Sequence, residues 1–325
     1  VIPDSTKLYG GFSGLESPTF NIDLREIGLN ETILSGDIGI PNDNSDNTYN
    51  IIYTQNVSDQ TILDGFTITG GNANAASGVN LAGGGWHNDG SGLGNSSSPT
   101  ILNCTFSSNF GVNGGAFYNN GNYSNGTKPT YTNCLFFENS ATNGAAIFNN
   151  YGDGLISPTI RNSTFANNIA TSQGGAIMSS GSDGSGMTLI ENAIFWGNVA
   201  NETLNSYEGD FEGETVTIDN SLVQEVNCIA LNANHDGTIV CGAGMIYSQN
   251  PLFLYATGGL FNLDCNSPAI NEGTPTDAPI KDITGFLRTG NPDMGAYEFG
   301  NGFMNNTIAD GSNPTYNLPQ ITASG

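Results

Sequence analysis

The sequence predicts an all-β chain wound as a right-handed parallel β-helix, a β-solenoid. Three observations carry this: a repeat of 29 to 30 residues, asparagines and phenylalanines recurring in step with it, and a glycine- and amide-rich composition suited to short strands and many turns.

The repeat comes first. Pro99-Thr-Ile-Leu-Asn-Cys-Thr-Phe106, Pro129-Thr-Tyr-Thr-Asn-Cys-Leu-Phe136 and Pro158-Thr-Ile-Arg-Asn-Ser-Thr-Phe165 are copies of one unit, and Thr188-Leu-Ile-Glu-Asn-Ala-Ile-Phe195 is a fourth. Their asparagines are Asn103, Asn133, Asn162 and Asn192; their phenylalanines are Phe106, Phe136, Phe165 and Phe195. A second asparagine follows each Phe (Asn109, Asn139, Asn168, Asn198), and small-residue clusters begin at Gly114, Gly144 and Gly174. The period is too short for propeller blades and lacks helical periodicity, so a coil of three short strands and three turns fits. An earlier, degenerate copy pairs Ile62-Leu-Asp-Gly-Phe66 with Gly84-Gly85-Trp86-His87, separated by ten extra residues that read as an extruded loop.

Stacked coils set each residue about 4.8 Å above its counterpart, so identical residues form ladders. Asn103, Asn133, Asn162 and Asn192 are read as corners, where an amide tolerates the left-handed conformation and bonds the amide above. Ile101, Tyr131, Ile160 and Ile190 should face inward, as should Cys104, Cys134, Ser163 and Ala193 together with the phenylalanines. On this reading residues 1–299 form a β-helix of about ten coils, some 50 Å long by the strand spacing. The regular coils span about 60–200 and a less regular closing section 201–299. Residues 300–325 form a polar tail, which either wraps back along the solenoid or adds a strand to a neighbouring copy, with Tyr316, Leu318 and Ile321 as assembly contacts.

Composition limits the function. Six basic residues stand against thirty acidic ones among 325, a formal net charge of −24. Such a chain repels nucleic acid and anionic lipid. No apolar run approaches the roughly 18–20 residues of a membrane span. Five cysteines lack CxxC spacing, and the two histidines, His87 and His235, are not paired at ligand spacing, which argues against zinc. Cys104 and Cys134 share one ladder position and read as buried free thiols. Cys228, Cys241 and Cys265 leave room for one disulfide in an oxidising compartment, without indicating which pair forms.

The combination of Gly-Gly-Ala-(Ile/Phe) with Phe-x-x-Asn resembles the repeats of chlamydial polymorphic outer-membrane proteins. Leu8-Tyr-Gly-Gly-Phe12, Thr32-Ile-Leu-Ser-Gly-Asp37, Ile62-Leu-Asp-Gly-Phe-Thr-Ile-Thr-Gly-Gly71, Asn250-Pro-Leu-Phe253, Ser267-Pro-Ala-Ile270 and Asp293-Met-Gly-Ala-Tyr-Glu298 together resemble secreted β-helix proteins of Bacteroidota, the choice-of-anchor group. The resemblance covers about residues 8–299. It implies the fold and a cell-surface or extracellular bacterial location, and it implies no reaction.

Parallel β-helices also house polysaccharide lyases and hydrolases, which need clustered carboxylates, or carboxylates with calcium and a basic residue. Between 99 and 200 the acids Glu138, Asp153, Asp183 and Glu191 do not fall at matching coil positions, nor do Lys128 and Arg161, so no catalytic residues are assigned. The acidic stretch 202–214, with Glu208, Asp210 and Glu212, is the candidate for calcium, although it lacks EF-hand order. No other cofactor is expected. Trp86, His87, Tyr118 and Tyr151 are candidate stacking contacts for surface glycans. The expected function is therefore a non-enzymatic surface scaffold, adhesin or fibre subunit that pairs with copies of itself, with carbohydrate recognition or depolymerisation as the rival.

Overall fold

The computed structural model describes residues 1–300 apart from 42, 76, 77, 79, 80 and 183. Asp183 and the assembly contacts expected at Tyr316, Leu318 and Ile321 lie outside the described residues.

The chain winds as a parallel β-solenoid with four faces. A representative turn runs through Thr100–Leu102, Thr105–Ser107, Phe110–Asn113 and Phe117–Asn120, and each strand pairs in parallel with its equivalent in the turns before and after. The three-stranded coil expected from the sequence is thus corrected to four strands. The reason lies in the backbone. Each regular turn has three left-handed residues: φ is +50° at Asn103, +53° at Ser108 and +69° at Gly114, and equivalents recur at Asn133, Glu138 and Gly144, then at Asn162, Asn167 and Gly174. Three sharp bends divide the repeat into four short strands, and a longer loop makes the fourth corner.

Among the described residues the first and second faces carry eight strands each, and the third and fourth carry six each, one of the third being the antiparallel Thr203–Leu204. About six turns are wound, not ten, and two partial turns follow. Eight rungs span roughly 34 Å at the usual strand spacing. The shortfall has two causes: residues 10–32 and 36–50 form long connections within the first turn, and the chain leaves the solenoid after Ile246–Tyr247.

The predicted ladders form. Ile101, Tyr131, Ile160 and Ile190 are buried, as are Cys104, Cys134, Ser163 and Ala193. Phe106, Phe136, Phe165 and Phe195 stack as a column, with ring centroids 5.0, 4.7 and 4.6 Å apart and interplanar angles of 7° or less. Thr67 pairs with Thr105, so in the degenerate copy Ile68, and not Phe66, continues this column.

A second column consists of Asn109, Asn139, Asn168 and Asn198, all fully buried. Each of the first three donates from Nδ2 to the Oδ1 of the next at 3.1, 3.0 and 2.9 Å, and that same Oδ1 accepts the donor's own backbone N–H. Nδ2 of each also reaches a carbonyl one turn back, such as Phe106 O from Asn139 at 2.9 Å. The column turns an otherwise costly set of buried amides into a continuous hydrogen-bonded spine.

After an antiparallel pair, Phe253–Tyr255 with Leu260–Leu263, residues 264–299 run along the outside of the second face. Phe261, Ile283 and Ala296 pack on the outward-facing Leu135 and Ala166, while Leu263, Ala269 and Met294 pack on Ile194 and Leu222. This segment also docks on the corner asparagines. Asn133 donates to Lys281 O at 2.7 Å, Asn162 to Asp293 O at 3.3 Å, and Asn192 to Thr274 O at 2.8 Å. The largely covered side chain of Arg288 completes the clamp, reaching Asn133 Oδ1 at 3.0 Å and Glu298 at 3.2 Å.

Candidate functional site

The residues expected to face a glycan separate into two groups. Trp86 and Tyr151 point into the solenoid and are fully buried. Trp86 lies 5.1 Å from Phe117 and donates to Thr54 Oγ1 at 2.8 Å. Strand alternation explains this: Trp86 and Asn88 share the inward side of Trp86–Asp89, leaving His87 outward. His87 and Tyr118 do share an outer row with Tyr53 and Phe148, at centroid separations of 5.3, 4.9 and 5.7 Å. Those rings pack against one another along the axis, Tyr118 and Phe148 stacked at 18° and the two His87 pairs tilted at 31° and 49°, and His87 and Phe148 are buried. The faces a sugar would use are already covered, so the expected platform is not presented.

The acidic stretch does not converge either. Glu208 accepts from Gln173, Gly174 N and Asn205 at 2.8–3.2 Å; Asp210 accepts from Ser180 and Gly181 N at 3.0 and 3.2 Å; Glu212 is exposed. Among the described residues no three His, Cys, Asp or Glu side chains are grouped to hold a metal ion. The other acids are equally dispersed. Glu191 pairs with Arg161 at 2.7 Å, Asp153 accepts from Ser182 at 3.1 Å, and Glu138 stands exposed at a corner.

The densest polar chemistry is internal, and it joins Glu214, the end of the acidic stretch, to Tyr151 in a way the sequence reading did not anticipate. Glu214 is buried, and its Oε1 accepts from Tyr151 and Tyr207 at 2.7 Å, Thr188 at 2.8 Å and Ser179 at 3.1 Å. Its Oε2 lies 3.1 Å from His235 Nε2. Burial by itself would raise this carboxyl's pKa, but the hydrogen bonds from His235, the two tyrosines and Thr188 outweigh it and hold the group below its ordinary range. Burial, then the Glu214 charge, push both tyrosine hydroxyls well up, so they stay neutral donors. A sequence signal for Glu214 existed: it keeps alternate phase with Val216 and Ile218 in Glu214–Asp219, which places it on the inward side. The cluster is enclosed and links strands of the last full turns through one shared carboxylate.

Cys228 and Cys241 form the disulfide, tying the short helix Cys228–Leu231 to the last first-face strand, Thr238–Cys241. Cys104 and Cys134 are free and buried, and burial pushes the Cys134 thiol up to about 12. Closing a loop with a sequence separation of 13 contributes about 3 kcal/mol in the chain-entropy account. Reduction is therefore expected to speed hydrogen exchange in residues 214–247 while leaving 100–180 unchanged, as read by mass spectrometry with and without a thiol reductant.

Comparison with known proteins locates one match. The family model for the Chlamydia polymorphic membrane protein (Chlamydia_PMP) repeat matches residues 162–180, the stretch that holds Phe165, Asn168 and the Gly174 cluster. No curated protein and no solved structure matches the chain. The chain is thus a parallel β-solenoid carrying a repeat similar to those of polymorphic membrane proteins.

Proposed function

We propose that this chain is a non-enzymatic surface protein, a stiff rod that serves as scaffold, adhesin or fibre subunit on or outside a bacterial cell. The observation that carries this reading is where the polar groups are spent. The buried asparagine column is satisfied by itself, and the acids of the regular turns are dispersed or bonded to neighbouring side chains. The match to a polymorphic membrane protein repeat supports a surface location.

Assembly is proposed to run end to end. At one end the strands Lys7–Tyr9 and Ile33–Ser35 are the outermost of their sheets, beside exposed Ile33, Ile38 and Ile40. At the other, Thr238–Cys241 and Ile246–Tyr247 are outermost, beside exposed Val226, Ile229 and Val240. Unpaired strand edges with apolar neighbours favour addition of a further strand. Negative-stain electron microscopy of the full chain and of a chain lacking residues 301–325 tests this. Filaments from the full chain are the expected result; their persistence on deletion places the joint at the strand edges, their loss places it in the tail, and single rods from both chains would overturn assembly.

A further inference from the structure

We infer that the outer surface of the third face holds a binding groove for a short neutral oligosaccharide. This assignment does not rest on end-to-end assembly, since a single rod would bind equally well. The groove is lined by Asn44, Asn47, Asn72, Phe110, Glu138 and Ser140, with Asn74 and Ser108 at its rim.

The geometry follows from the winding. Asn72, Phe110 and Ser140 are register partners on successive turns, so they form one outward row. The inward row beside them is Ala73, Gly111 and Ala141. Asn44 and Asn47, from the long connection of the first turn, overhang the start of that row and are tied down through Asn72 Nδ2 to Asn44 O at 2.5 Å and Asn47 Nδ2 to Gly70 O at 2.7 Å. Ser108 and Glu138 occupy the left-handed corner between the second and third faces, at φ +53° each. The groove therefore crosses four turns, about 14 Å at the strand spacing, and each turn advances by close to the length of one pyranose unit. It ends where the outward row changes from Ser140 to the exposed Ile169.

Its chemistry suits a sugar. The side chains of Asn74, Ser108, Glu138 and Ser140 make no hydrogen bonds among the described residues, and Asn47 Oδ1 is screened from solvent with no partner. Unbonded amide, hydroxyl and carboxylate groups at the surface pair readily with sugar hydroxyls. Phe110 supplies a partly exposed ring among these amides, the pairing of an apolar face with a few directed polar groups that small-ligand sites use. Glu138 accepts from hydroxyls and repels anions, and the chain's charge of −24 adds to this, so acidic glycans are disfavoured.

The test uses isothermal titration and saturation-transfer NMR of the full chain with a panel of neutral trisaccharides (maltotriose, cellotriose, laminaritriose, mannotriose, xylotriose and chitotriose) and with trigalacturonic acid. At least one neutral trisaccharide is expected to bind saturably, and trigalacturonic acid is expected not to. Asn74→Ala and Glu138→Ala, both at exposed positions, should each weaken binding at least tenfold with unchanged thermal midpoints. Met187→Ser, at an exposed position on the first face, should leave binding unchanged. The inference is overturned if no neutral trisaccharide binds, if the acidic one binds better, or if binding survives both groove variants.

Discussion

Replacing Asn139 by alanine is expected to destabilise the solenoid by about 4 kcal/mol. A buried donor left without a partner costs about 1–3 kcal/mol, and each further lost hydrogen bond about 1 kcal/mol. The substitution leaves Asn109 N–H without the Oδ1 it meets at 3.1 Å and takes one partner each from Asn109 Nδ2, Phe106 O and Asn168 Oδ1. Asn143→Ala provides the comparison. Its amide is half-buried and makes one bond, to Asn113 Oδ1 at 2.9 Å, so its loss should stay under about 1 kcal/mol. Urea unfolding followed by circular dichroism separates the two. Equal losses would show that burial of the amide column contributes nothing special.

Removing the Glu214 carboxylate should cost as much, on the order of 3–5 kcal/mol for Glu214→Ala, because five groups lose their common acceptor. Here pH gives a second readout. The folded-state pKa lies below the ordinary 4.5, so the group's contribution is fully present above that value and is lost as pH falls through the folded pKa. Glu214→Gln keeps the shape and removes the titration. Its thermal midpoint should be lower than wild type at neutral pH, and the two curves should converge on acidification below about 4.5. Parallel curves would mean that folding leaves the Glu214 pKa unchanged, and a wild-type advantage that shrinks as pH rises would mean that the folded protein keeps Glu214 protonated; either contradicts the account.

The column residues were legible because stacking forces one choice on every turn. A row admits one shape of side chain, so Asn103 and Phe106 recur as letters. Four-sidedness was not legible, because the corner at Gly70, Ser108, Glu138, Asn167 and Gly197 is left-handed in each of these turns yet is filled by four different residue types. The burial of Trp86 and Tyr151 follows from strand parity, which a strip of aromatics read as letters overlooks. Docking of the closing segment leaves almost no mark in the sequence, since Lys281, Asp293 and Thr274 offer backbone carbonyls to the corner asparagines. The outer groove was hidden for a related reason: Asn44 and Asn47 reach it from a connection outside the repeat.

Hydrogen exchange of the intact chain, resolved by peptide, tests most directly whether the stacked columns hold the solenoid together. The account predicts that residues 105–113, 135–143 and 164–173, which carry both the phenylalanine and the asparagine columns, exchange last, and that protection falls toward both ends and in residues 264–299. Exchange in those three segments as fast as in the closing segment would contradict it.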